Sequence, residues 1–186
     1  MPIKELKTDA KHRMDGAIHA VKEEFSKIRT GRATPALLDS IRVDYYGQKV
    51  PINQVGSVSA PEPRMLVVQP WEKNLLSVIE KEIQKADLGL NPSNDGNIIR
   101  IPIPQLSEER RKDLVKLVHR FGEDGKIAVR NVRRDANDHL KKLEKNHEIS
   151  EDELSVALEE VQKMTDEHIK KVDELVEEKE KEVLEV

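Results

Sequence analysis

From Leu114 to Leu143 apolar side chains return at helical spacing, through Leu117, Val118, Phe121, Ala128, Val132, Ala136 and Leu140, in steps of three or four with one step of seven after Phe121. A stripe of that length fits one helix of roughly 40 residues, about 60 Å long, which cannot be buried without partners of similar length. Ser107 is a capping residue followed by Glu108 and Glu109, where negative charge suits a helix start, and Asn146-His147-Glu148 ends the pattern. Leu6, Ala10, Met14, Ala17, Val21, Phe25 and Ile28 predict a second long helix, ended by Gly31. Ser150 and Glu153 form the pattern of a capping box. Behind it Leu154, Val161, His168 and Leu175 repeat every seven residues, with Leu158, Thr165 and Val172 beside them, as in a coiled-coil seam. None of the three stripes is buried alone, and three are the fewest that enclose a core, so a three-helix bundle is expected.

The middle of the chain is different in kind, since eight of the nine prolines and five of the eight glycines lie between Gly31 and Pro104. Ile41 to Tyr46 alternates, Gly47 follows, and Lys49-Val50-Pro51-Ile52 completes a hairpin pattern. Val55 to Ser59, Met65 to Gln69 and Ile98 to Ile101 read as strands. Glu72 to Ala86 carries Leu75, Leu76, Ile79 and Ile83 at helical spacing, with Trp71 expected to anchor that helix. The expected fold class is α+β and mostly helical: a long three-helix bundle from residues 1–30 and 105–186, with a small α+β domain, 31–104, inserted and hinged. Its two connections are Arg29, Thr30, Gly31 and Arg32, permissive through glycine, and Pro102, Ile103, Pro104 and Gln105, held extended by alternating prolines. The small domain is expected to swivel on them.

Apolar and charged residues each make up 37% of the chain and aromatics only 3%, a balance suited to long amphipathic helices and not to an aromatic-centred enzyme core. With no cysteine there are no disulfides, thiolate metal sites or cysteine nucleophiles. The six histidines are scattered, and His12 and His19 lack a third ligand nearby, so no metal is expected. Phe121-Gly122-Glu123-Asp124-Gly125-Lys126 lacks the spacing of a phosphate loop and sits inside a helical pattern. No cofactor and no enzymatic activity are expected. No apolar run reaches the roughly 20 residues of a bilayer span, and Met1 to Lys11 is charged throughout, which favours a cytoplasmic protein.

Charge is unevenly distributed beneath a formal total of −4. Residues 105–146 carry twelve basic against eight acidic side chains, whereas residues 147–186 carry five against fifteen. A local basic face can therefore bind nucleic acid while an acidic helix discourages unspecific association. On the long helix, Lys112, His119, Lys126, Arg130, Arg133, Asn137 and Lys141 fall in one band, about 120° around from the apolar stripe. Arginine forks on a rigid rod suit phosphate oxygens, and Asn131 and Asn137 could add contacts to bases or sugars. The competing reading is a solvated face with partners such as Asp138 beside Arg134. Arg130, Arg133 and Arg134 cluster with no acid before Asp135, which favours the nucleic-acid reading.

Motifs along the chain bear on the choice. Lys27-Ile-Arg-Thr-Gly-Arg-Ala-Thr-Pro-Ala-Leu-Leu-Asp39, Tyr45-Tyr-Gly47, Asp87-Leu-Gly-Leu-Asn-Pro92, Arg100-Ile-Pro-Ile-Pro104, Ser107-Glu-Glu-Arg-Arg-Lys-Asp-Leu114 and Ala128-Val-Arg-Asn-Val-Arg-Arg-Asp-Ala-Asn137 follow one another through nearly the whole chain. In order and spacing they resemble the ribosome recycling factor family. The resemblance implies a three-helix bundle with a hinged α+β domain, together shaped like a tRNA. It implies that the bundle binds large-subunit ribosomal RNA through Arg130 and Arg133, with Arg134 next, and Lys126 and Asn137 belong to the same expected face. It also implies that elongation factor G, by hydrolysing GTP, drives the small domain so that the ribosome splits after termination and mRNA and tRNA are released. A monomer is expected. The alternative is a coiled-coil scaffold or chaperone-like module gripping protein partners.

Overall fold

The structure is a computed structural model that describes residues 2–185. It divides into two compact units, one made of residues 2–28 with 108–185 and the other of Arg29–Ser107.

The first unit contains α1 (Ile3–Ser26), α3 (Glu108–Lys145) and α4 (Glu151–Leu184), and the second contains α2 (Leu76–Lys85). All three pack pairwise, so the bundle expected from the stripes is present. Helix α4 opens on the expected capping box: Glu153 N–H donates to Ser150 Oγ at 3.1 Å, and Ser150 N–H donates to Glu153 Oε2 at 2.8 Å. The α3–α4 turn is short, and His147 takes φ 60° there, a left-handed conformation that reverses the chain.

Three details of the stripes differ. In α1 the buried residue after Met14 is Ile18, not Ala17, and the helix stops at Ser26, several residues before Gly31. In α4 the buried seam is Ala157, Val161, Thr165, His168, Val172, Val176 and Val183, while Leu154, Leu158 and Leu175 are half-buried on its flanks. In α3 the buried row is Leu114, Val118, Gly122, Gly125, Val129, Val132, Ala136 and Leu140, with Leu117, Phe121 and Ala128 at its edge. The two glycines are contact points. A Cβ on Gly122 would overlap Val176, and one on Gly125 would overlap Val21, so the missing side chains let α4 and α1 approach. Two polar side chains are buried in this core: Thr165, which donates to the Val161 carbonyl at 2.8 Å, and His168, joined to Asp15 of α1.

The second unit has β1 (Arg42–Tyr45) and β2 (Gln48–Pro51) as a hairpin turning at Tyr46 and Gly47, whose φ values are 51° and 85°. A four-stranded antiparallel sheet runs in the order β3 (Gly56–Glu62), β4 (Met65–Pro70), β6 (Ile99–Pro102), β5 (Ser93–Asn94). Leu66, Val68, Ile99 and Ile101 point from one face of that sheet into a core shared with Ile79 and Ile83 of α2 (Leu76–Lys85). Trp71 does not anchor α2. It continues the outward parity of Met65, Val67 and Gln69 and is 68% exposed, while its N–H donates to the Val55 carbonyl at 3.0 Å. The β5–β6 turn is organised by Asp95, whose Oδ1 accepts from the N–H groups of Asn97 and Ile98, both at 3.0 Å, and whose Oδ2 accepts from Arg100 at 2.9 Å. Those donors hold its carboxyl down at about 2, the two backbone N–H groups contributing most.

Candidate nucleic-acid interface

Part of the basic band of α3 stands closer to the core than 120°: Lys126 lies at about 80° from the centre of the buried row, while Arg130 stays at about 120°. With the buried row running through Gly122, Gly125 and Val129, Arg133 lies about 60° from its centre at 100° per residue. Lys126, Arg130, Arg133 and Asn137 are consequently half-buried along one edge of the packed face, and Arg134 is exposed beyond them. The stems of Lys126 and the arginines cover apolar surface while their heads reach solvent.

Acidic and amide groups of α4 meet this edge. His119 Nε2 lies 3.2 Å from Glu180 Oε2, Lys126 pairs with Asp173, and Arg133 Nη1 donates to Gln162 Oε1 at 3.3 Å. Gln162 in turn donates to Asp166 Oδ1 at 2.9 Å. The two helices run antiparallel, and the step of seven residues down α3 from His119 to Lys126 is matched by seven residues back along α4 from Glu180 to Asp173. Arg133, the next step of seven, meets the neutral amide of Gln162, whose own NH2 group donates to Asp166. This is a charge ladder beside the apolar seam, as at the flanking positions of a coiled coil. Arg130 pairs within its own helix, Nη1 lying 3.3 Å from Glu123 Oε1.

The basic face is therefore not as free of acids as the linear sequence suggests: Glu123, two turns back along α3, pairs with Arg130, and Asp173 and Glu180 of α4 meet Lys126 and His119, while Arg133 meets only the amide of Gln162. Asp135 turns the other way and accepts from Arg13 of α1 at 2.8 Å. Arg134 makes no ion pair with Asp138, and it has no hydrogen-bond or ion-pair partner among the described residues. The Asn137 Oδ1 atom is buried and also lacks a partner among them. Linear reading missed Gln162, Asp166, Asp173 and Glu180, and the signal that could have found them is their repeat of seven or nearly seven, in phase with the basic residues opposite.

Beside the ladder lies a groove of about 640 Å³ between α3 and α4, floored by the close contact of Gly122 with Val176 and edged by Glu123, Lys126, Asp173, Glu177 and Glu180. Its acidic wall makes it unsuited to phosphates; the outward side of α3, with Arg134, is the more accessible to them. Among the described residues no group of three or more His, Asp or Glu side chains is arranged to hold a metal, and no helix is long and apolar enough to cross a membrane.

The residues expected to act as a hinge are placed as follows. Gly31 takes φ 78°, which a side chain would strain. Thr30 is buried. Pro102 is the last residue of β6, opposite Met65, and Ile103 is buried in the core of the second unit, its N–H donating to the Arg64 carbonyl at 2.8 Å. Pro102 and Ile103 thus belong to that unit's packing, and Pro104 and Gln105 are exposed beyond them.

The sequence model of the family described as "Ribosome recycling factor" matches residues 21–184. The ribosome-recycling factor of Bacillus licheniformis is 58% identical over 98% of both chains, and that of Nitratidesulfovibrio vulgaris is 56% identical over the full length of both. A solution structure of the ribosome recycling factor superposes with a TM-score of 0.73 at 43% identity, covering 99% of this chain and 98% of that one. A model of the T. thermophilus factor, described with E. coli elongation factor G on the E. coli post-termination complex, superposes at 0.64 with 51% identity, covering 99% of this chain and all of that one.

Proposed function

The chain belongs to the ribosome recycling factor family, and on that premise we propose that it binds the post-termination ribosome through large-subunit ribosomal RNA and, with elongation factor G and GTP, promotes splitting into subunits with release of mRNA and tRNA. It acts as a translation factor and catalyses no bond change of its own; the free energy comes from the partner's GTP. The observation that carries this reading is the similarity of the whole chain, end to end, to recycling factors. The description of one such factor together with elongation factor G on a post-termination complex supports the partner.

Within that reading α3 supplies the RNA contact. Arg134 is exposed and without an internal partner, and Arg130 is paired only within its own helix, so their guanidinium groups are the most available to phosphate oxygens. Arg133, Lys126 and Asn137 join them from the half-buried edge. The segments Arg29 to Arg32 and Pro104-Gln105 act as the hinge on which the α+β unit moves, and the protein works as a cytoplasmic monomer.

Light scattering of post-termination ribosomes tests this. Mixed with elongation factor G, GTP and this protein, scattering falls as 70S particles separate. No fall with folded protein and an active partner would favour the scaffold reading instead.

A further inference from the structure

The ladder between α3 and α4 raises a question that RNA binding alone does not answer. Three of the five residues assigned to the RNA face are already engaged inside the protein, Lys126 and Arg133 by side chains of α4 and Arg130 by Glu123 of its own helix. The Lys126 side chain is 22% exposed and that of its partner Asp173 is 55% exposed, so the aspartate is the more open of the two side chains and stands beside the ammonium where it reaches solvent. A phosphate approaching Lys126 meets that carboxylate first, and it gains the ammonium only by displacing it.

We propose that the acidic side chains of α4 that reach α3, Asp173 above all with Glu180 beside it, are intramolecular competitors for the basic row of α3, tuning how tightly the bundle holds RNA. This rests on the RNA-binding reading and adds a regulation to the same site. The ladder occupies Lys126 directly through Asp173 and Arg133 through Gln162 and Asp166, while Arg134 stays free. Binding thus begins on Arg134 and Arg130 and extends to Arg133 and Lys126 by exchange of a carboxylate or amide for a phosphate. Fewer counterions are released than the number of basic side chains would suggest, because part of the row carries its counterions in the fold. For a factor that must leave the ribosome after each round, a built-in competitor shortens residence without weakening the first encounter.

The experiment is equilibrium binding of the intact protein to purified large ribosomal subunits across a range of KCl concentrations. Asp173→Asn keeps the shape of the side chain and removes its charge at an exposed position, so the fold is retained. The expected result is binding about two- to five-fold tighter at low salt, with a plot of log affinity against log salt steeper by about one phosphate equivalent. Glu174→Gln, one residue along and without an α3 partner among the described residues, is the control for net charge and gains less. In a Lys126→Gln background the gain from Asp173→Asn disappears.

Weaker binding by Asp173→Asn would show that Asp173 positions Lys126 rather than competing for it, and would overturn the proposal. So would a gain equal to that of Glu174→Gln, or one that survives Lys126→Gln. Failure of the RNA reading looks different: wild-type affinity would not change with salt.

Discussion

The Nε2 atom of His168 stands 2.7 Å from Asp15 Oδ1, while Nδ1 of the same ring stands 2.7 Å from the Met164 carbonyl oxygen. Both ring nitrogens of a side chain only 3% exposed face acceptors, one on α1 and one on its own helix, so the ring ties α4 to α1 at a fixed height in the bundle. The His168 hydrogen bond, more than any nearby charge, holds the Asp15 carboxyl below its ordinary value of 3.8.

A carboxyl lowered on folding stabilises the folded state above its unfolded value and loses that contribution as pH falls through the folded one. Bundle stability therefore drops as the solution is acidified below the ordinary aspartate range, and Asp15→Asn flattens that part of the profile. Asp15→Ala, which leaves the buried Nε2 without its partner, costs about 1–3 kcal/mol at neutral pH. Urea unfolding followed by circular dichroism at several pH values measures both, and an unchanged profile in Asp15→Asn would contradict the assignment.

Asp95 gives a second pH signature, in the α+β unit. Its carboxyl is lowered to about 2 by the Asn97 and Ile98 amides, so the turn holds above the ordinary aspartate range and loosens as pH falls through about 2. In an NMR titration the two amide protons shift with a midpoint at about 2. A midpoint near 3.8 would mean that the turn is not formed in solution.

Gly125→Leu overpacks the bundle, because a Cβ alone already overlaps Val21. A loss of about 1–3 kcal/mol is expected from overpacking, offset by no more than about 1 kcal/mol of helix propensity. Thermal unfolding should show it. Gly16, which has open space around it, accepts alanine with a small gain, and the pair of variants separates packing from propensity.

Arg134→Ala and Arg133→Ala probe the RNA face from its two sides. Each loses a charged contact worth about 1.5–3 kcal/mol of ribosome affinity if phosphates reach it. Arg134→Ala leaves stability unchanged, since nothing in the described fold depends on that side chain, whereas Arg133→Ala also gives up the Gln162 contact. Equal ribosome affinity for Arg134→Ala and wild type would return α3 to a solvated face.

Gly31→Ala tests the hinge. At φ 78° alanine is strained by about 1–2 kcal/mol, which shifts the local backbone without touching α3. Splitting should slow while affinity for the ribosome is kept, and equal losses in both assays would argue against a separate swivel step.

Much of this architecture is legible in the chain. Ser150 and Glu153 announce α4 because a capping box is a local device, settled by residues within one turn. The exact buried row is less legible, because a period of 3.6 lets either of two neighbours come inward. Met14 is followed by Ala17 and Ile18, and Ala128 by Val129, and in each case the larger aliphatic side chain takes the buried place. Gly122 and Gly125 read as gaps in an apolar stripe, yet they are where the neighbouring helices come nearest, and misplacing them rotates the whole basic face. The α4 partners of Arg133 and Lys126, an amide and an acid, were hidden for a simpler reason: they lie some thirty to fifty residues away, and only the antiparallel fold brings them back.

The matched spacing of α3 and α4 also bears on how such a chain can change over time. Substitution at one rung disturbs one rung. An inserted or deleted residue between His119 and Arg133 of α3, or between Gln162 and Glu180 of α4, would slide the pairs on one side of it against those on the other and turn the flank of one helix away from its neighbour. Length in this stretch is thus inherited as a unit, and variation there should be rich in replaced letters and nearly empty of gaps, unless whole heptads are added to both helices together.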